Sequence, residues 1–394
     1  MNGKMRQNGL SFRVKREPYA GRITEIAPWN SHTFAYFISA EKYGTTHPEY
    51  FALRNGVRMA DGSTSQLCLT NTEMQDTFIE NVREYLRQNY HPGLIINIAA
   101  NDNGNSCQCE NCLAVDEEEG SPSGLLLRLT NKIADAFKDK YPDLIFSMDA
   151  YWHTIEPPKK TRALPKVYIN VANSGIDFAR AHDEGIQNIE FLNRLKTWAK
   201  LADGISVIDY GANYCQYFFP LPNFEATARK YREYHKNNVK GIYVINDVGY
   251  PRPFGEFSEL RTWFTGRLMW NPWLDPWELV KEFCDGFYGA AGSFLYEYLH
   301  WYHDYFLKQH QATFFMNKPP VEHILSEDYV EAGIEYFRKA FDAVKNNQKF
   351  TNRVRRAYTA VQYQELSLKL SKIANSPELI RKLKSFEAAC LEFD

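Results

Sequence analysis

Asp102 and Glu256 are the two carboxylates best placed for acid–base work in this sequence. Asp102 follows the apolar run 94–98 in Ile98-Ala-Ala-Asn-Asp-Asn-Gly104, and Glu256 lies in Gly255-Glu-Phe-Ser-Glu-Leu-Arg261. An apolar run that empties into a polar loop reads as a buried parallel strand, whose carboxyl end is where such a protein places its chemistry. Other apolar runs end the same way, on His32, Asn101, Tyr151 and Trp152, Asn173, the group Asp209, Tyr210 and Asn213, and the pair Asn246 and Asp247. Carboxylates and amides bond hydroxyl groups, aromatic faces cover the apolar face of a ring, and a basic cluster for phosphate is missing. The set predicts a neutral, hydroxyl-rich ligand. Glycoside cleavage needs one carboxyl group to protonate the leaving oxygen and a second group, a carboxylate or the substrate's acetamido, to stabilise positive charge at the anomeric carbon. Asp102 and Glu256 are therefore the expected catalytic pair. His32, Asn101, Tyr151, Trp152, Asp209, Tyr210, Asn213 and Asp247 are the expected substrate contacts. Strand-end aspartates also serve as helix caps and loop anchors, a reading that weighs most on Asp209 and Asp247. Glu259 would share a helical face with Glu256, and Arg261 or Arg267 is its expected partner.

Cys107-x-Cys-x-x-Cys112 places three thiols in six positions, and Cys68 supplies a fourth. Four thiolates suit a tetrahedral zinc ion. The plainer alternative is a loop of reduced thiols. All-thiolate coordination leaves no open position, so such a zinc is structural and no cofactor is expected for catalysis. The other cysteines, Cys215, Cys284 and Cys390, are scattered in apolar surroundings, and an odd total of 7 defines no disulfide framework.

These residues need a scaffold, and the chain supplies a repeating one. Strand candidates at 23–26, 94–98, 144–150, 167–171, 204–208 and 241–245 alternate with helices at 70–88, 125–140, 186–201 and 223–236, and Asn55-Gly56 marks a hairpin. Strand, polar loop and helix in repetition imply parallel strands with right-handed crossovers. No glycine-rich dinucleotide fingerprint appears, so a (β/α)8 TIM-like barrel is expected. Six strands fall short of eight; either the first strand is lacking or two are hidden, one near 254–257. Beyond Trp270 the pattern becomes helical, opening on the capping box Asp275-Pro-Trp-Glu278. The expected division is a barrel over 1–268 and an all-helical domain over 269–394.

With 46 basic and 48 acidic residues the chain carries no charge excess pointing to nucleic acid. No run is long enough to span a bilayer, and residues 1–8 lack the apolar middle of a signal peptide.

Read together, His32-Thr-Phe, Pro48-Glu-Tyr-Phe, Gln66-Leu-Cys-Leu-Thr-Asn71, Asn101-Asp102 with its cysteine run, Ser121-Pro-Ser-Gly124, Gly255-Glu-Phe-x-Glu-Leu-Arg261 and Trp270-Asn-Pro272 resemble the bacterial family called domain of unknown function 4838. Part of that group is classified as glycoside hydrolase family 163, endo-β-N-acetylglucosaminidases acting on N-glycans. A fainter likeness links Trp263-Phe-Thr-Gly-Arg-Leu-Met-Trp270 to the family 67 α-glucuronidases, which combine a (β/α)8 barrel with a helical domain. The glutamate of that family's strand-end motif falls near Asn103 here, so its acid role does not transfer. The resemblance implies a carbohydrate-cleaving barrel and leaves the acid open between Asp102 and Glu256; Glu256 is the favoured acid, with Asn101 and Asp102 orienting the sugar or its acetamido group. It also implies a periplasmic or secreted bacterial protein. Relatives carry an N-terminal α/β domain and a first barrel strand upstream, so a shortened chain that binds glycans without cleaving them is the expected alternative. An α-glucuronidase-like glycosidase is the other.

Overall fold

The computed structural model describes residues 25–29, 31–62, 65–245, 255–309, 311–318, 324–370 and 377–392. The chain forms two compact units: Met1–Asn173 with Leu192–Ile208 and Lys236–Tyr243, and Ser174–Phe191 with Asp209–His235 and Val244–Asp394. In chain order the elements begin β1 (Glu25–Ala27), α1 (Phe34–Phe37), α2 (Ala40–Tyr43), β2 (Leu53–Arg54), β3 (Val57–Arg58), α3 (Thr72–Asn89), β4 (Leu94–Asn97), α4 (Glu110–Glu119) and α5 (Ser123–Phe137). They continue β5 (Ile145–Ala150), β6 (Val167–Ala172), α6 (Ile186–Leu201), β7 (Gly204–Tyr210), α7 (Phe224–Lys236) and β8 (Val239–Ile245). The remainder is helical: α8 (Ser258–Trp270), α9 (Pro276–Tyr288), α10 (Gly292–Asp304), α11 (Glu327–Val344), α12 (Gln348–Leu370) and α13 (Pro377–Glu392).

Six strands lie side by side in the order β1-β4-β5-β6-β7-β8. The pairs from β1 to β7 are parallel. Each strand is added on the same side of the one before, the order of barrel staves, whereas a doubly wound sheet reverses direction at its midpoint. The described residues thus show a TIM-like barrel lacking strands, with a helical region after it.

The register decides what faces the lumen. Asn97 pairs with Ser147, Asp149 with Asn170, and Asn170 with Ser206. Register partners point to one side and side chains alternate along a strand, so these five polar residues share a face. On the opposite face of β5, Phe146 stacks on Phe137 of α5, with ring centroids 6.0 Å apart. That face is covered by helix, and the polar row is the inner one.

Local chemistry explains the connections. Asn55 and Gly56 both have positive φ, at 49° and 79°, as a two-residue hairpin between right-twisted strands requires. The cap of α3 is Asn71, whose Oδ1 accepts from the Met74 amide at 2.8 Å, one residue beyond Thr70, although Thr70-Asn-Thr-Glu73 has capping-box spacing. Asp275 caps α9, with Oδ1 accepting from the amides of Trp277 and Glu278 at 2.9 Å each. The acidic stretch behind the cysteines folds as the helix α4, ended by Gly120 at φ 70°.

The last residue of α4, Glu119, is completely buried. Its carboxylate accepts from the Lys160 amide at 2.9 Å, the Thr161 amide at 3.0 Å and Arg128 Nε at 3.1 Å. Gly124 makes room for it: a Cβ there would sit 2.3 Å from Glu119 Cγ. Gly124→Ala is therefore expected to destabilise by about 1–3 kcal/mol, the usual cost of overpacking, read as a lower urea midpoint at unchanged slope.

Candidate functional site

In the first unit the carboxyl ends of β1, β4 and β5 meet at one rim. The loop after β1 is fixed to the end of β4 by Thr33, whose hydroxyl donates to the Asn97 carbonyl at 2.7 Å and accepts from the Ala99 amide at 2.9 Å. His32 beside it has φ 57°, a region disfavoured for a side-chain-bearing residue, and its Nδ1 donates to the Ala100 carbonyl at 3.0 Å. Asn101 is buried and works as a brace: Nδ2 donates to the Ser65 carbonyl at 2.6 Å, and its backbone N–H donates to Gln66 Oε1 at 3.1 Å. Asp102 points out from that brace. Its Oδ1 accepts from Trp152 Nε1 at 3.0 Å, and the Trp152 indole is 55% exposed, a broad aromatic face at the rim. Tyr151 precedes it at the end of β5, where the backbone turns back through Thr154, whose hydroxyl donates to the Asp149 carbonyl at 2.9 Å. Trp29, at the end of β1, is a second exposed aromatic.

Below the rim lies a residue that the strand-end reading passed over. Asp149 is 4% exposed. Ser31 Oγ donates to its Oδ2 at 2.6 Å, while Asn97 and Asn170 Nδ2 donate to Oδ1 at 3.2 and 2.9 Å. Burial pushes this carboxyl above its ordinary value, against the pull of its three donors and His32. Three of four acceptor positions are filled, and the remaining one, on Oδ2, is where a proton would sit. The signal was present in the sequence as polar residues at every second position inside apolar strands, Ser147 and Asp149 in β5 and Asn170 in β6, rather than beyond their ends.

The second unit holds the other expected residues. Glu256 stands before α8 rather than on it, so it shares no helical face with Glu259. It is 4% exposed, accepts from Arg261 Nε at 2.8 Å and from the Tyr302 hydroxyl at 2.8 Å, and burial pushes its carboxyl up while Arg261 and Tyr302 pull it down. Arg261 also donates to Asn223 Oδ1 and the Leu221 carbonyl, each at 2.7 Å. The cavity beside Glu256, lined by Asn213, Gln216, Tyr217 and Arg261 among others, measures about 20 Å³. That volume holds one water molecule. Glu259 pairs with Arg356 at 2.9 Å, and Arg267 with Glu282 at 2.7 Å, correcting the partners expected within α8.

Asn213 does not have the capacity expected of a sugar contact. Its two N–H groups go to the Phe315 and Lys318 carbonyls at 2.9 and 2.7 Å, and its oxygen takes the amides of Cys215 and Gln216 at 2.9 and 3.0 Å, which exhausts the side chain. Asp209 is buried and lines a polar cavity of about 20 Å³ with Asn223, Lys230, Tyr231 and Arg261. Lys230, also buried, is pushed down by burial and drawn back up by Asp209 and Asp177. Tyr210 packs edge-on against Tyr214, at 6.0 Å. Asp247 lies outside the described residues. The structure therefore gathers His32, Asn101, Asp102, Tyr151 and Trp152 at one rim and adds Asp149, and it places Asp209, Tyr210, Asn213 and Glu256 in the other unit.

Cys68, Cys107, Cys109 and Cys112 come together, their sulfurs all within 4.8 Å of one another. No helix among the described residues is long and apolar enough to cross a membrane.

Residues 3–300 match the family model described as Domain of unknown function (DUF4838). No curated protein matches the chain. Among solved structures, a native Bacteroidetes-affiliated GH5 cellulase linked with a polysaccharide utilization locus is similar over 58% of this chain and 69% of its own, at 12% identity and a TM-score of 0.35. A GH138 enzyme targeting pectin rhamnogalacturonan II is similar over 75% of this chain and 58% of its own, at 11% identity and a TM-score of 0.33. Both likenesses are distant, and the barrel assignment rests on strand order and register.

Proposed function

The chain belongs to the domain of unknown function 4838 family, and from that membership together with the first unit's rim we propose a glycoside hydrolase that cleaves within an N-acetylglucosamine-containing glycan. The observation that carries this reading is Asp149: a buried carboxyl pushed upward, on the lumen face, beneath a rim of exposed indoles and the Asp102 carboxylate. A proton donor to a leaving oxygen needs such a raised carboxyl, and a sugar ring needs such an aromatic edge. Asp149 takes the donor role. Asp102 and Trp152 position the sugar, Asp102 as a hydrogen-bond acceptor for an acetamido N–H. His32 fixes the adjoining turn. No metal or cofactor has a step in this scheme.

Glu256 is then a structural carboxylate, because it serves as the counter-charge of buried Arg261 and the cavity beside it holds only one water molecule. Glu256→Gln is expected to cost about 3–5 kcal/mol, the penalty for leaving a buried Arg261 without its counter-charge, and to keep activity per folded molecule. Both are read by urea denaturation and by turnover at a temperature where the variant stays folded. Loss of turnover by the folded variant would return the acid role to Glu256.

The activity itself is tested by incubating the protein with N-glycoproteins and with N-acetylglucosamine-containing oligosaccharides, products being read by mass spectrometry. Release of a glycan with a new reducing end supports the proposal. Glycan binding by calorimetry with no product from any of these substrates overturns it in favour of a non-catalytic binder.

A further inference from the structure

We propose that Cys68, Cys107, Cys109 and Cys112 bind one zinc ion that is structural and fixes the Asp102 loop. The sulfurs of Cys68 and Cys109 are 3.6 Å apart and those of Cys68 and Cys112 are 3.9 Å apart. Four thiolates around zinc at about 2.3 Å stand roughly 3.8 Å from one another in a regular tetrahedron, so the spacing is that of ligands around a common centre. All four cysteines are free thiols. They come from two separate pieces of chain: Cys68 precedes α3, while Cys107 and Cys109 end the loop that carries Asn101 and Asp102 and Cys112 follows in the first turn of α4.

The surroundings suit a doubly negative zinc–tetrathiolate. The Leu53 amide donates to Cys107 Sγ at 3.3 Å, the Thr70 hydroxyl lies 3.2 Å from Cys112 Sγ, and the Arg58 guanidinium, which donates to the Phe51 carbonyl at 2.8 Å, brings a positive charge near Cys68. Donors aimed at sulfur spread the thiolate charge, and the cation offsets part of it. Around them Ala52, Leu69, Val115 and Leu125 exclude water, which protects the metal–sulfur bonds. With four protein ligands the centre is closed, and its role is to pin the 99–109 loop between the β2–β3 hairpin and α4.

The test uses the full chain purified under reducing conditions without chelator. About one equivalent of zinc by elemental analysis is expected. Cobalt added to reduced, metal-free protein should give the intense sulfur-to-metal absorption and visible bands of a tetrahedral thiolate site. Zinc should also shield four of the seven thiols from alkylation, located by peptide mass spectrometry at Cys68, Cys107, Cys109 and Cys112. Cys107→Ser with Cys109→Ser should abolish zinc retention, while Cys215→Ser should retain it. If the double variant does not fold, the cobalt spectrum and the alkylation pattern of the unaltered chain still decide. Absence of metal with all four thiols alkylated, or iron as the retained metal, overturns the proposal.

Discussion

Asp149→Asn should leave the protein folded and lower glycan turnover by about 10²–10⁴-fold, the range expected for removing a general acid. The asparagine can keep the local bonds, since its oxygen still accepts from Asn97 and Asn170 while its Nδ2 donates to the Ser31 oxygen that formerly donated. Stability at neutral pH should hold or rise slightly. Burial raises the folded-state carboxyl above its unfolded value, so the stability linked to that proton is fully present below the unfolded value and is lost as pH rises through the folded one. The asparagine removes that loss. The pH profile carries the sharper readout. An acid must be protonated to act, so activity of the unaltered protein should fall as pH rises through the Asp149 value, and the variant's residual activity should lack that limb. Equal turnover in the two proteins, on a substrate the unaltered chain cleaves, would remove Asp149 from the chemistry.

Glu119→Ala is expected to destabilise strongly, by about 3–5 kcal/mol, because it leaves Arg128 and the amides of Lys160 and Thr161 without their buried acceptor. Glu119→Gln keeps one acceptor oxygen and should cost less, about 1–3 kcal/mol. Urea denaturation at neutral pH measures both. The charge has a pH signature as well. Burial would push the Glu119 carboxyl up, but the Thr161 hydroxyl and amide, the Lys160 amide and Arg128 outweigh it and hold the carboxyl at about 2. The value is depressed on folding, so the stabilisation is fully present above an ordinary carboxyl value near 4.5 and is lost as pH falls through about 2. The unaltered protein should therefore lose stability across that acid window more steeply than Glu119→Gln.

Helices and strands with a strong local period were legible in the sequence. The span 186–201 is helix from end to end, Asn55-Gly56 makes the tight turn, and Asp275 caps the helix it precedes. The helix α4 was not legible, because its acidic residues lack an apolar stripe and what holds it is the cysteine cluster before it and Glu119 at its end. Glu119 itself finds Lys160 and Thr161 more than 40 residues away, a pairing that no local pattern encodes. The candidate site divides in the same way. Residues beyond strand ends, such as Asp102 and Trp152, stood out because a polar loop follows an apolar run. Asp149 was hidden by the opposite circumstance: within a strand, a buried polar side chain looks like ordinary alternation until the register of β4, β5 and β6 shows Asn97, Ser147 and Asn170 on the same face.

The two loops joined at the rim by the Trp152–Asp102 bond are both referred to one short rod. Helix α4 has ten residues and is about 15 Å long. Cys112 in its first turn belongs to the thiol cluster that ends the Asp102 loop. At its other end Glu119 grips the 159–161 turn, while Ser121, just beyond, donates to the Glu156 carbonyl in the segment that leads out from Trp152. Ordering a loop costs about 1–2 kcal/mol per residue in backbone entropy. Here that cost falls on folding rather than on each encounter with a ligand. The indole and the carboxylate are thus preorganised as a pair, and damage at either end of α4 should weaken ligand affinity through entropy, with no contact residue altered.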